Sequence, residues 1–314
     1  MGDMTEDGAP KVVVVAGPTA SGKSRLGVEL ALELGGEILN ADAMQVYRGM
    51  DVGTAKPTSE EQKGVPHHLL DVVDPDEEYN AGIYRSMALP LVGDISARGK
   101  ICLVVGGTGL YIKSLLGGLF DCPPADQLVR ESLQQECEVR GCPDLHERLK
   151  SLDSQRASKI HPNDRVRIIR ALEIIQVSKR LPSELSSAHG FKDKVFDALT
   201  LCLEVDRKEL YERINRRTLV MVGAGLVEET ERLLRQGYSP DLKPMKAIGY
   251  RHIIMHLRGG WSLNEAIRRI QRDTRRYAKR QLTWFRAVPE AIWVDPDDFD
   301  AVIEKVKDFT LGVT

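Results

Sequence analysis

The segment from Lys11 to Leu34 most constrains how this chain can fold. It begins with the run KVVVVA at 11–16, which is too short for a typical helix and rich in β-branched residues, so it predicts a buried strand. A glycine-punctuated loop follows, and then an amphipathic stretch that ends at Gly35 and predicts a helix. A strand, a loop and a helix in this order predict the first unit of a parallel sheet, because parallel strands need a crossover connection.

The loop itself, GPTASGKS, fits the pattern G-x-x-x-x-G-K-[ST] between its strand and its helix. Its glycines permit tight turns, and its amides and the start of the helix face bound phosphates. Lys23 adds a positive charge, and Ser24 is placed to ligate Mg²⁺ that bridges two phosphates. The pattern predicts a phosphate site and does not specify ATP. We expect it to comprise Gly17, Pro18, Thr19, Ala20, Ser21, Gly22, Lys23 and Ser24.

Alternating strands and helices continue along much of the chain. The predicted fold class is therefore α/β, a P-loop NTPase-like parallel sheet flanked by helices, with a mainly helical insertion domain. The insertion is expected at 122–195, where the sequence turns polar and helical in period, and the catalytic core at 1–121 and 196–314. Further strands are expected at 37–40, 68–71, 101–105, 198–205 and 291–294.

Two polar residues follow strand ends on the same edge as the phosphate loop. Asp42 lies just past the second predicted strand and Thr108 just past the fourth. An Asp beside bound phosphates is suited to accept a proton from an acceptor amine, although Asp42 alone fits a helix N-cap equally well. The fourth strand ends in Gly106-Gly107-Thr108 where a kinase usually has an acidic residue, but Asp71 or Asp74 could take that role, so a kinase stays open.

The near-neutral net charge of −2 conceals a basic segment. Between Arg251 and Arg286 there are ten Lys or Arg against two acidic residues, which leaves 34 basic and 44 acidic residues in the rest of the chain. A helix predicted at 263–287 carries Arg275 and Lys279 on one face, so a contact with a polyanion is favoured over a merely solvated face.

The sequence also bears on the cellular compartment, the state of the cysteines and the oligomeric state. The sequence has no apolar run of the roughly 20 residues that span a bilayer and no signal peptide, so we expect a cytoplasmic protein without membrane contact. Five cysteines without a C-x-x-C pair predict reduced thiols, and Cys137, Cys142 and His146 lack a fourth ligand for zinc. No exposed heptad pattern is evident, which favours a monomer.

Several longer motifs resemble the bacterial tRNA dimethylallyltransferase family, also called tRNA isopentenyltransferases. In order they are GPTASGKS, DAMQVYRGMDVGTAKP, PHHLLD, LVVGGTGLYI, HPNDRVRIIRALE, KAIGYR and AKRQLTWFR, which together cover nearly the whole chain. The resemblance implies transfer of a dimethylallyl group from its diphosphate to N6 of the adenosine immediately 3′ of the anticodon, with release of pyrophosphate and a requirement for Mg²⁺. Because the sequence carries no zinc-finger pattern of the eukaryotic type after these motifs, we expect a bacterial form.

The resemblance also implies roles for individual residues. Asp42 would be the general base, Thr108 would bond the oxygen between the prenyl group and the diphosphate, and Arg217 would be the cation on that diphosphate, with Arg216 as the alternative. The insertion would grip the anticodon stem-loop. Contacts with tRNA are expected at Asp42, Ala43, Met44, Gln45, Thr108, Arg130, Arg165, Val166, Arg167, Ile168, Ile169, Arg170, Arg275 and Lys279.

Three other functions stay open on the sequence. The first is a P-loop kinase for a small metabolite, which would turn over ATP. The second is an adenylate isopentenyltransferase, which would use free AMP or ADP and need no RNA. The third is an RNA-binding protein that has lost catalysis, which the presence of Lys23, Asp42 and Thr108 disfavours.

Overall fold

A six-stranded parallel sheet organises the described part of the chain, which comprises residues 9–119, 122–189 and 195–312 of a computed structural model. The strand order is β3-β2-β4-β1-β5-β6, with every neighbouring pair parallel. This confirms the predicted fold class. The strands are β1 (Lys11–Ala16), β2 (Glu37–Asn40), β3 (His67–His68), β4 (Cys102–Gly106), β5 (Asp197–Leu203) and β6 (Ala291–Val294).

The central strand β1 explains why the sheet needs cover on both faces. Val12, Val13, Val14 and Val15 are all fully buried. Successive side chains of a strand point to opposite faces, so Val12 and Val14 belong to one apolar cluster and Val13 and Val15 to another. Apolar side chains of helices complete both clusters. A strand that is apolar on both faces requires such cover on each side of a parallel sheet.

The helices account for most of the remaining chain. None of those described is long and apolar enough to cross a membrane. They are α1 (Lys23–Leu34), α2 (Ser59–Gln62), α3 (Ala81–Ala97), α4 (Gly109–Gly117), α5 (Gln127–Arg140), α6 (Cys142–Leu152), α7 (Ser154–Ala157), α8 (Arg165–Ser178), α9 (Pro182–His189), α10 (Arg207–Gly223), α11 (Leu226–Arg235), α12 (Tyr250–Leu257), α13 (Leu263–Arg286) and α14 (Phe299–Leu311).

The chain divides into two compact units. One consists of Met1–Leu116 with Val195–Thr314 and holds the sheet, and the other is Gly117–Lys194. The second unit, here called the insertion, contains α5 to α9 and has its own core, in which Leu145, Leu149 and Leu172 are fully buried. The sequence-based boundaries of 122–195 differ from these by a few residues.

Two local expectations were wrong. The third strand ends at His68 and does not reach Asp71, because Leu69 and Asp71 adopt positive φ angles of 61° and 53° that an extended strand does not allow. The cysteines are also not all reduced, since Cys137 and Cys142 form a disulfide. The chain turns between α5 and α6, which brings the two Cα atoms to 5.0 Å.

Candidate active site

Three functional segments meet at the carboxyl edge of the sheet. In the parallel register Ala16 of β1 pairs with Gly106 of β4, and Asn40 of β2 pairs with Val105. The phosphate loop follows β1 directly, Asp42 comes two residues after β2, and Thr108 comes two residues after β4. The order of the strands thus brings together residues that are about 90 positions apart along the chain, in the crevice where open α/β sheets bind ligands.

The phosphate loop is shaped to receive an anion. Gly22 takes a left-handed conformation (φ 97°) as the N-cap of α1, and no side chain caps the first turn. The first amides of a helix then point outward with the positive end of its dipole. The Nζ atom of Lys23 lies over the loop and donates a hydrogen bond of 2.7 Å to the Pro18 carbonyl.

The pKa of the Lys23 ammonium lies close to physiological pH. Burial lowers its pKa to about 8, although the Asp42 carboxylate opposes this shift, and the Arg217 guanidinium lowers the pKa further. An anion bound to the loop would favour the charged form of the lysine. The side chain is therefore neutral more readily than an ordinary lysine when no anion is present.

Arg217 reaches the phosphate loop from α10. Its Nη1 donates a hydrogen bond of 3.2 Å to the Thr19 hydroxyl, and burial lowers its pKa while the Asp42 carboxylate opposes that effect. The neighbouring Arg216 is exposed on the helix surface. The side chain of Arg217 thus lies at the loop, in the position that the sequence left open between the two arginines.

Asp42 and Thr108 are linked through the backbone of the loop that follows β2. The Thr108 hydroxyl accepts the Ala43 amide at 3.0 Å, and the Thr108 amide donates to the Ala41 carbonyl at 3.1 Å. One oxygen of Asp42 accepts the Met44 amide at 2.8 Å. These bonds join the Thr108 turn to the loop that carries Asp42 at the edge of the sheet.

The Gln45 side chain forms hydrogen bonds within the segment that follows β2. Its side-chain amide donates to the carbonyl of Ala55 at 3.1 Å and lies 3.4 Å from that of Thr54. The predicted contact of Gln45 with tRNA would therefore have to use the acceptor oxygen of its side chain or replace these bonds.

A cavity of about 740 Å³ opens beside the phosphate loop, entirely within the unit that holds the sheet. Its polar and charged lining residues are Lys23, Ser24, Arg25, Asp51, Lys56, Thr58, Glu61, Lys63, Arg213 and Arg217. Its apolar lining residues include Val28, Val52, Ala55, Pro57, Val220, Met221 and Ala224. Next to the phosphate loop the cavity thus offers both cations for an anionic group and apolar side chains for a hydrocarbon.

Glu229 of α11, which the sequence analysis did not single out, fixes one wall of this cavity. Its carboxylate is 6% exposed and accepts the amides of Asp51, Val52 and Gly53 at 2.8–2.9 Å. It also accepts the Tyr250 hydroxyl at 2.7 Å. A buried carboxylate with four donors is well compensated, and it holds the 51–53 segment in place. The KAIGYR motif supplied the tyrosine but gave no sign of its partner.

A magnesium ion fits this site only if protein and substrate oxygens coordinate it together. No three His, Cys, Asp or Glu side chains within residues 9–119, 122–189 and 195–312 converge to hold a metal. Ser24 is exposed on the cavity wall beside Lys23. Mg²⁺ keeps several waters and commonly binds through substrate phosphates, so one serine hydroxyl with diphosphate oxygens suits its chemistry.

The predicted RNA-contacting arginines of the insertion are held by carboxylates. Arg130 and Arg170 both bond Oε2 of Glu173, at 2.9 and 2.8 Å, and Glu173 is fully buried. Burial alone would raise the pKa of Glu173, but the hydrogen bonds from Arg170 and Arg130 outweigh it and lower the pKa. The pair with Arg130 therefore holds α5 against α8, whereas Arg170 lies on the same helix as Glu173 and pairs with it within α8.

The remaining predicted positions on α8 differ in exposure. Arg165 pairs with Glu138 at 2.8 Å and is partly buried, whereas Arg167 lies 3.6 Å from Asp164 and is exposed. Val166 is 78% exposed. In contrast, Ile168 and Ile169 are 1% and 6% exposed in the core of the insertion, so their side chains could serve an RNA surface only by fixing the helix that presents it.

The basic face of α13 is less uniform than its sequence suggested. Glu265 pairs with Arg268 and Arg269, and Asp273 pairs with four basic residues that include Arg272. Arg275 donates to the Asn215 side chain at 2.6 Å, whereas Lys279 is exposed. The two acidic residues of this helix therefore pair with many of its cations. The positive charge at Lys279 is more available to a ligand than the charge of the paired residues.

The fold and the site define a P-loop-type α/β protein whose phosphate loop opens onto a cavity lined by both charged and apolar side chains. The family profile described as IPP transferase matches residues 45–288, and the one described as isopentenyl transferase matches residues 10–76. The chain belongs to the IPP transferase family.

Individual relatives support the same assignment. The chain is 51% identical over 293 residues to the tRNA dimethylallyltransferase of Geobacter sulfurreducens, covering 93% of this chain and 94% of the relative. Among solved structures it is similar to the tRNA isopentenylpyrophosphate transferase of Bacillus halodurans, with 41% identity, 96% of each chain covered and a TM-score of 0.70. A eukaryotic dimethylallyltransferase acting on tRNA is 30% identical over 97% of this chain and 80% of its own, with a TM-score of 0.82.

Proposed function

We propose that this protein transfers a dimethylallyl group from dimethylallyl diphosphate to N6 of the adenosine immediately 3′ of the anticodon in tRNA, releasing pyrophosphate. The phosphate loop carries this proposal, because it opens onto a cavity that has apolar side chains and shares its edge of the sheet with Asp42 and Thr108. Relatives that are similar over most of the chain are named tRNA dimethylallyltransferase.

The donor would lie with its diphosphate on the phosphate loop and its hydrocarbon along the apolar wall. Lys23 and Arg217 would neutralise the diphosphate, since both are bonded to neutral oxygens of the loop and can turn to an anion without breaking a short ion pair. Ser24 would hold Mg²⁺ together with diphosphate oxygens, and the ion would supply further charge neutralisation on the leaving group.

The transfer reaction requires one group that accepts a proton and another that donates a hydrogen bond to the leaving group. The N6 nitrogen forms a bond to C1 of the dimethylallyl group as the bond from C1 to the bridging oxygen breaks, and Asp42 accepts the proton that N6 loses. The Thr108 hydroxyl oxygen already accepts the Ala43 amide, so its own hydrogen is free to be donated to the bridging oxygen. That hydrogen bond strengthens as charge develops on the leaving diphosphate.

Recognition of tRNA would combine the insertion with the exposed cations of α13. A stacked adenine does not expose N6 to a buried site, so the base must leave its stack to reach Asp42. Arg167 and Lys279 are exposed and Arg165 is partly exposed, so these three can reach a phosphate backbone, whereas Arg130 and Arg170 would support the helices that carry them. We expect the protein to work as a cytoplasmic monomer.

A transfer assay separates this function from its alternatives. Purified protein is incubated with Mg²⁺, radiolabelled dimethylallyl diphosphate and an unmodified tRNA with adenosine 3′ of its anticodon, and parallel reactions contain AMP, or ATP without the prenyl donor. We expect label in the tRNA, lost when that adenosine is replaced. Label in AMP alone would instead indicate an adenylate isopentenyltransferase. ATP turnover without prenyl transfer would indicate a kinase, and binding of tRNA without any turnover a protein that has lost catalysis.

A further inference from the structure

A buried amide on α13 joins the two loops that carry the proposed chemistry. The Gln281 side chain is 6% exposed although it lies on a helix rich in charged residues. Its Oε1 accepts the Thr19 amide of the phosphate loop at 2.9 Å, and its Nε2 donates to the Gly107 carbonyl at 3.0 Å. Both polar ends of the side chain are therefore used by backbone groups from different strands.

The chemistry of the partners fixes the orientation of this amide. A backbone N–H can only donate and a carbonyl can only accept, so turning the amide over would break both bonds. The contact also explains one glycine of the GGTG turn. A Cβ at Gly107 would collide with Nε2 of Gln281, so the amide can approach the turn only where no side chain is present.

The amide holds groups that the reaction would use. Gly107 directly precedes Thr108, and Thr19 accepts Arg217 through its hydroxyl while it donates to Gln281 through its amide. One side chain thus sets the separation of the phosphate loop and the Thr108 turn.

The helix that presents this amide is anchored next to it. Ala278, one turn before Gln281, is fully buried against Leu210 and Ile214 of α10, the helix that carries Arg217. The position of Gln281 is therefore fixed relative to the same helix that brings Arg217 to the loop.

We propose that Gln281 is a positioning residue for prenyl transfer, a role that rests on the function proposed above. It touches neither substrate and acts by holding the Thr108 hydroxyl at the spacing from the bound diphosphate that the reaction needs. Displacement of a reacting group by about 1 Å can lower a rate about a hundredfold.

Replacement of Gln281 by Glu tests this role with a pH profile. The introduced carboxylate still accepts the Thr19 amide but has no hydrogen for the Gly107 carbonyl, so the two oxygens repel. We expect kcat at pH 8 to fall about a hundredfold while KM for tRNA changes less than about threefold. Protonation restores a donor, and burial raises the pKa of the carboxyl, so the ratio of the variant's kcat to that of wild type should rise about tenfold from pH 8 to pH 6.

Two variants complete the experiment. Gln271→Glu on the same helix is the matched control, since Gln271 donates to the Asn215 carbonyl and not to either loop, and its ratio to wild type should not vary with pH. Gln281→Met keeps the volume and is uncharged, so it should fold, lose kcat similarly and show no recovery at low pH. Circular dichroism melting monitors the fold of each variant.

The outcomes are distinct. Near-wild-type turnover of Gln281→Glu at pH 8, a constant ratio across pH, or full turnover of Gln281→Met would overturn the proposal, and the methionine variant decides if the glutamate variant does not fold. Absence of prenyl transfer by the wild type would refute the proposed function itself and leave no reaction for Gln281 to position.

Discussion

The edge of the sheet and the insertion use basic side chains in different ways. At the sheet edge, Lys23 and Arg217 are hydrogen-bonded to neutral oxygens of the phosphate loop and lie on a cavity wall. In the insertion, Arg130 and Arg170 are bound to a fully buried carboxylate, Glu173. The first arrangement leaves positive charge available to a ligand, and the second uses it to hold helices together.

This difference has an energetic basis. Removing one partner of a buried ion pair typically costs about 3–5 kcal/mol, so Arg130 and Arg170 cannot turn to RNA without a large penalty. A cation that is bonded only to a carbonyl or a hydroxyl gives up a weaker bond when an anion arrives. On the proposed function, we therefore expect the diphosphate to bind preformed cations at the phosphate loop and the tRNA to bind the outer arginines of the insertion.

The largest effect is expected at Asp42, whose carboxylate faces both Lys23 and Arg217. The change Asp42→Asn keeps the shape of the side chain and its bond to the Met44 amide but removes the base. We expect single-turnover prenyl transfer to fall by about a hundredfold to ten-thousandfold while the affinity for tRNA stays within about threefold. Quenched-flow transfer and filter binding measure the two quantities, and a nearly full rate would remove Asp42 as the base.

Next in size is the contrast between two adjacent arginines. Arg217→Gln should lower the transfer rate about a hundredfold to a thousandfold, because it removes a preorganised cation from the leaving diphosphate. Arg216→Gln is its matched control on the exposed side of α10 and should retain the rate within about twofold. Transfer at saturating tRNA measures both. The reverse order of effects would show that the register of this helix in the working enzyme differs.

A smaller effect is expected from pH through Lys23. Its pKa of about 8 in the free protein means that the ammonium is present below that pH and is lost as pH rises through it. Pyrophosphate affinity should therefore weaken up to about tenfold between pH 7 and pH 9, and calorimetry measures it. Lys23→Arg is the control, because a guanidinium stays charged throughout this range and should flatten that part of the profile. Equal pH dependence in both proteins would contradict the assignment.

The smallest effect is expected at the outer surface of the insertion. Arg167→Gln removes an exposed cation that is paired only loosely, at 3.6 Å, with Asp164. The affinity for tRNA should fall a few-fold and the salt dependence of binding should lose about one phosphate contact. Melting temperature should be unchanged, since exposed pairs contribute little to stability. An unchanged salt slope would exclude Arg167 from the RNA surface.

Much of the fold could be predicted because its signals are local. The strand of valines, the glycine loop and the following helix specify their own conformations, and the order of the motifs then gives the parallel sheet. The end of β3 could not be predicted from the local sequence, because apolar residues such as Leu69 also occur at turns with positive φ. The disulfide between Cys137 and Cys142 depends on the turn between two helices and not on spacing alone.

The site was predictable where a motif carries its own chemistry and not where the partners come from distant segments. Gln281 bonds backbone groups that lie 174 and 262 residues away along the chain, and Glu229 bonds groups that lie 176–178 residues away, so no local pattern marks either residue. The converse holds for Ile168 and Ile169, which share a motif with the exposed Arg167 but are buried in a core. Sequence spacing showed which residues occur together, and only packing shows which of them face a ligand.

The most direct test of the division between the two regions compares Arg217→Gln with Arg167→Gln in one experiment that measures tRNA affinity and the single-turnover rate at saturating tRNA. The account predicts that Arg217→Gln loses about a hundredfold or more in rate with unchanged affinity, and that Arg167→Gln loses a few-fold in affinity with unchanged rate. If both variants changed the same quantity, the donor site and the RNA surface would not be separate, and the account would be wrong.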